Sequence, residues 1–140
     1  MANALEVSKY ITIVMSVDNL KLQKLLYYCQ AINLVKYNEP LFNDDIEALQ
    51  FGPVVPVVYR AYKKFGFEDI KQNKSANLIT KDIEVIDLVL EYYGSMSSIY
   101  LVNKTHSEDP WKNVYKPNKD NIKITNESIK EYYSKTISFE

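Results

Sequence analysis

Residues able to do chemistry are few, so the search begins with them. His106 is the single histidine and Cys29 the single cysteine among 140 residues. A transition-metal site built on His106 would need carboxylate partners alone. Glu108 and Asp109 are adjacent in sequence rather than spaced along one helical face, and no His-x-x-x-His pair or cysteine pair exists to hold zinc. His106 could act as a base for Cys29 or a serine. However, Cys29 falls inside an apolar helical stripe, where it reads as an inert small hydrophobe. No nucleophile elbow occurs. The chain has only 3 glycines, each near a helix end or entry, so no phosphate-cradling loop is available. The expectation is no catalytic residue, no metal and no cofactor. His106 reads as a hydrogen-bonding anchor, and Trp111 after Pro110 as a large core plug.

The elements that would position these residues are mostly helical. Asn3 and Glu6 resemble a capping box, followed by apolar residues at helical spacing through Val17. Asn19 reads as the cap of a second helix. There Leu22, Leu25, Leu26, Cys29 and Ile32 form one stripe that Tyr28, Ala31 and Val35 widen. A helix apolar over so much of its circumference belongs at the centre of a core. Pro40 lies in a loop. Residues 46–51 alternate apolar and polar, like a short strand.

The stretch "FGPVVPVVYRAYKKFG" spans Phe51 to Gly66. Pro53 and Pro56 both suit a first helical turn, where backbone N–H groups have no internal partner. A helix from Pro53 would bury Val54, Val57, Val58, Ala61, Tyr62 and Phe65, expose Arg60, Lys63 and Lys64, and stop at Gly66. Further on, Thr80 reads as the cap of a helix with Ile83, Ile86, Leu90 and Tyr93 inward. A short helix carrying Ile99, Leu101 and Val102 starts near Ser97, a short strand spans 122–124, and Thr125 caps a last helix. The fold class expected is mainly α: one compact helical domain over residues 1–140, about six helices, with a small β element.

Composition limits the partners. Net charge is −1, from Lys+Arg 17 and Asp+Glu 18, which gives no bulk pull toward nucleic acid or an anionic membrane. The lysines Lys63, Lys64, Lys71, Lys74 and Lys81 read as solvated surface. Apolar residues Ile11 to Val17 are too short a run to span a bilayer and lack a signal-peptide cleavage pattern. A cytoplasmic location is expected.

Three segments in this order carry a resemblance: "NLKLQKLLYYCQ" (Asn19 to Gln30), "PLFNDDIEALQFGPVVPVVYRAYKKFG" (Pro40 to Gly66) and "THSEDPW" (Thr105 to Trp111). Together the chain resembles the Panacea domain, the SocA-type antitoxin family of bacteria and their phages. Leu49 stands where tryptophan is common in that family, and Cys29 where alanine is frequent. The resemblance implies an antitoxin that neutralises a cognate toxin by direct protein–protein binding. It also allows an adaptor that delivers a bound partner to an AAA+ protease, or a phage-encoded host-interaction protein. It implies that Gly52, Pro53, Pro56, His106 and Trp111 form a structural motif. Tyr59, Arg60 and Lys63, beside the Gly-Pro step, are the candidate partner-binding residues.

Overall fold

A computed structural model describes residues 1–72 and 75–137. Helix α1 (Ala4–Val14) opens the chain, its first turn capped by Asn3, whose side-chain oxygen accepts from the Glu6 N–H at 2.9 Å. Helix α2 (Asn19–Tyr37) follows. A two-stranded antiparallel hairpin pairs β1 (Glu47–Leu49) with β2 (Gly52–Val54), with Leu49 opposite Gly52. Helix α3 (Pro56–Tyr62) runs on into a 3-10 turn at Lys63–Phe65. The remaining helices are α4 (Thr80–Tyr93), α5 (Ser98–Ser107), the one-turn α6 (Asp109–Lys112) and α7 (Asn126–Thr136). The mainly-α expectation holds, with seven α-helices and a small sheet among the described residues. Lys123 extends the sheet by one bridge to Glu47, flanked by Ala48 N–H to Ile122 O and Ile124 N–H to Ile46 O, each at 2.8 Å.

Helix α2 is the hub, touching α1, α3, α4, α5, α7 and β2. Every residue from Leu22 to Leu34 is buried, as expected of a helix without a polar face. Each buried leucine contributes roughly 1.5–3 kcal/mol of hydrophobic stabilisation. The helix starts on Asp18, not on Asn19: the Asp18 carboxylate accepts from the Lys21 N–H at 2.7 Å. It ends at Asn38, which takes the left-handed conformation (φ 58°) that asparagine tolerates.

Several local expectations are corrected. Pro53 does not open a helix; it lies in β2, and only Pro56 occupies the first turn of α3. The two residues between them are extended because Val55 N–H is taken by a side chain of α2, described below. Starting the helix later rotates it, so Val57 and Ala61 face solvent while Val58 and Tyr62 are buried. Thr80 is inside α4, which begins after Ile79 without a side-chain cap. The inward face of α4 is Val85, Ile86, Val89 and Tyr93, with Ile83 and Leu90 at its margin. Ile99 is on the outer side of α5. The cap by Thr125 forms as read, and α5 starts where expected, capped by Ser97. Lys74 lies outside the described residues.

Candidate protein-binding site

The hairpin tip and the start of α3 form a surface whose backbone is held from beneath by side chains. Three come from the N-terminal half of α2. Gln23 Oε1 accepts from the Val55 N–H at 2.8 Å, and Lys24 Nζ donates to Pro53 O at 2.9 Å. Asn19 Nδ2 donates to Tyr59 O at 3.1 Å, and Gln23 Nε2 donates to Asn19 Oδ1 at 2.9 Å. Gln30, about two turns beyond Gln23, holds the adjacent loop instead: it donates to the Phe42 carbonyl at 2.8 Å and accepts from the Leu41 and Phe42 N–H groups. These side chains are buried, and each is paired with a backbone group.

The other supports come from the α5–α6 corner. His106 Nε2 lies 2.9 Å from Gln50 O, and the acceptor carbonyl requires that nitrogen to carry the proton. Trp111 Nε1 donates to Leu49 O at 2.8 Å. The rings of His106, Trp111 and Tyr115 stack at centroid separations of 4.0 and 4.6 Å. Burial pulls the His106 pKa down, with nearby Lys24 adding to the effect and the Gln50 bond opposing it. Trp111 is therefore not a core plug. It is half-buried and works as a clamp on the hairpin tip.

Gly52 explains the Gly-Pro step. Its φ is +109°, and a Cβ there would meet Lys24 Cε at 2.6 Å and Thr105 Oγ1 at 2.8 Å. Only glycine permits both the backbone angle and the approach of β2 to α2 and α5. Lys24 is fully enclosed, and burial lowers its pKa from 10.5 to about 7, with Asp18 as the opposing charge.

Above this scaffold, Phe51, Val57 and Tyr59 expose apolar surface, with Phe51 at 57%. Arg60 and Lys63 are exposed beside them and enter no ion pair among the described residues. The structure thus places Tyr59, Arg60 and Lys63 together on the outer side of α3 and its 3-10 turn. It gathers Gly52, Pro53, Pro56, His106 and Trp111 around the hairpin that supports them.

A second polar cluster escaped the sequence reading. Glu108 Oε1 accepts from Tyr28 Oη at 2.6 Å and from Tyr133 Oη at 2.8 Å, and Tyr133 and Tyr27 hydroxyls lie 3.1 Å apart. Because the Tyr133 proton goes to the carboxylate, Tyr27 donates to Tyr133. Burial pushes all three tyrosine pKa values far up, and the Glu108 charge adds to the effect. The signal for the first cluster was present in α2. Gln23, Lys24 and Gln30 interrupt a helix with no polar side to place them on, so they had to be buried and paired.

Cys29 is sealed in the core, and burial raises its thiol pKa. Among the described residues no group of three His, Cys, Asp or Glu could hold a metal ion, and no helix is long and apolar enough to cross a membrane. The arrangement is a helical domain with a hairpin and helix face held by buried side chains, carrying aromatic and cationic side chains on its outer side.

The chain belongs to the antitoxin SocA-like family, Panacea domain, whose family model matches residues 22–112. That segment runs from α2 through α6 and contains both the hairpin and every side chain that clamps it, Asn19 excepted. Antitoxin SocA of Caulobacter vibrioides (strain NA1000 / CB15N) is 38% identical over 113 aligned positions, covering 68% of this chain. The chain spans 58% of that relative's length. No solved structure matches.

Proposed function

We propose that this chain is the antitoxin of a toxin–antitoxin pair and neutralises its toxin by docking on the hairpin–α3 face. The observation that carries this reading is family membership through the segment that builds that face. The physical character of the face supports it. Tyrosine and arginine are the side chains most often found as interface anchors, and here Tyr59 and Arg60 project from backbone that is already fixed. A pre-organised surface loses less conformational entropy on binding than a mobile one. An interface of ordinary size buries about 800 Å² on each partner, and the hairpin tip, α3 and the adjoining N-terminus of α5 together offer the exposed side chains for it.

No enzymatic step is part of the reading. His106 is committed to Gln50 O, and the Cys29 thiol is out of reach of solvent. Neutralisation is by masking.

The test is co-expression of this chain with the toxic product of a neighbouring reading frame, followed by affinity measurement with purified partners. Arg60→Ala and Tyr59→Ala should each weaken binding by about fivefold or more and leave the melting temperature unchanged. Rescue of growth with no measurable complex would refute masking, and full affinity in the double variant would refute docking on the hairpin–α3 face. A fall in the toxin's cellular half-life that requires an AAA+ protease would assign the chain to the adaptor role instead.

A further inference from the structure

A second site lies away from the hairpin face, in a cleft of about 240 Å³ between α4, α5 and α7. Leu88 and Tyr92 form its outer wall, Tyr93 and Tyr133 line its depth, and Lys104 and Glu108 supply its charges. This volume is below the ~300–1,000 Å³ of small-molecule sites, and it suits one long side chain. Glu108 is nearly enclosed. Its Oε1 is committed to two tyrosine hydroxyls, whereas Oε2 receives only Lys104 Nζ, at 3.1 Å, among the described residues. Lys104 itself comes from the rim: its side chain keeps 29% of its surface exposed and reaches inward from the preceding turn of α5. Tyr92 projects from the rim with 68% of its surface exposed, its ring set edge-on to that of Tyr93 at 4.9 Å.

We propose that this cleft binds the arginine side chain of a partner protein, for which Lys104 is the internal place-holder. The reasons are chemical. A buried carboxylate oxygen with one mobile cationic donor has acceptor capacity left over. The walls are aromatic and apolar, so they accept an aliphatic stem and attract a cation to their ring faces. A guanidinium fits both demands, because it stacks on an aromatic plane and offers a planar fork of donors to a carboxylate; an ammonium does only part of this. Glu108 is fixed in place by Tyr28 and Tyr133, so its oxygen does not reorganise when the guest arrives.

This inference does not rest on the antitoxin reading, since no toxin enters its test. The probe is N-acetyl-arginine-N-methylamide, titrated into the isotope-labelled protein and followed by backbone amide NMR. Saturable shifts at Leu88, Tyr92, Tyr93, Lys104 and Glu108 are expected, with the capped lysine weaker and the capped norleucine inert. Lys104→Met is the decisive variant. It removes the internal competitor, so arginine binding should tighten roughly fivefold, the equivalent of a ~1 kcal/mol ion pair. Tyr92→Ala, at an exposed position, should weaken binding about threefold through loss of the ring face. The proposal is overturned if neither the wild type nor Lys104→Met shows saturable shifts at the cleft. It is overturned equally if Lys104→Met binds more weakly, or if norleucine binds as well as arginine.

Discussion

Replacing Lys24 by methionine should stabilise the protein near neutral pH and lose that advantage in mild alkali. The Lys24 ammonium is enclosed and has one carbonyl partner, Pro53 O. Its pKa falls from 10.5 in an exposed chain to about 7 in the fold. Between those values the unfolded chain holds the proton and the folded chain does not, so stability rises with pH across that window. Below about 7 both states are protonated, and the full penalty applies: the 3.5-unit gap corresponds to about 5 kcal/mol at 1.36 kcal/mol per unit. Methionine of similar length removes this penalty but leaves Pro53 O without its donor, a loss of about 1–3 kcal/mol. The variant should therefore be more stable than wild type by about 3 kcal/mol at about pH 6.5, with the difference falling by about 3 kcal/mol by about pH 9.5. Charges facing Lys24 are Asp18 from the start of α2 and His106 from α5. The pKa of His106 is displaced downward, out of this range. Buried Tyr27, Tyr28 and Tyr133 have raised pKa values, so they oppose stability only above about pH 10, where the unfolded tyrosines ionise, and they do so equally in both proteins. Urea unfolding followed by circular dichroism at a series of pH values measures the difference directly. A wild-type-minus-variant difference that stays constant with pH would refute the reasoning.

Gly52→Ala should destabilise by about 3 kcal/mol, since the added methyl combines a positive φ with contacts under 3 Å to Lys24 and Thr105; thermal unfolding and amide exchange in β2 would report it. Tyr133→Phe removes one of the two hydroxyl donors to Glu108 Oε1 and leaves Tyr27 Oη without its acceptor, so a loss of about 2 kcal/mol in urea unfolding is expected. Trp111→Phe keeps the stacked ring but deletes the N–H that holds Leu49 O. It should cost about 1 kcal/mol of global stability while speeding amide exchange at the hairpin tip far more than elsewhere.

The comparison between residues read in one dimension and their places in space divides along a physical line. Helix α2 was legible because its burial follows from hydrophobic periodicity alone, a local property. The caps by Asn3 and Thr125 were legible for the same reason: each involves a side chain and an N–H three residues away. Asn19 and Thr80 misled because capping competence is also local, but a neighbour satisfied the need first. Asp18 capped α2 and left Asn19 free to hold Tyr59 O across 40 residues. Pro53 misled because its fixed φ suits a strand edge as well as a first helical turn, and the choice was made by Gln23 of α2 binding Val55 N–H.

What the sequence determined by itself was therefore the helical class, the central helix, the turn chemistry and the family. Those properties depend on residue type and near-neighbour spacing. Only the tertiary structure decided that Lys24 and Gln23 support the Gly-Pro hairpin, that Trp111 clamps it, and that Tyr27, Tyr28 and Tyr133 converge with Glu108. Each of those is a hydrogen bond between groups far apart in the chain, and its partner is chosen by packing, which no local pattern encodes.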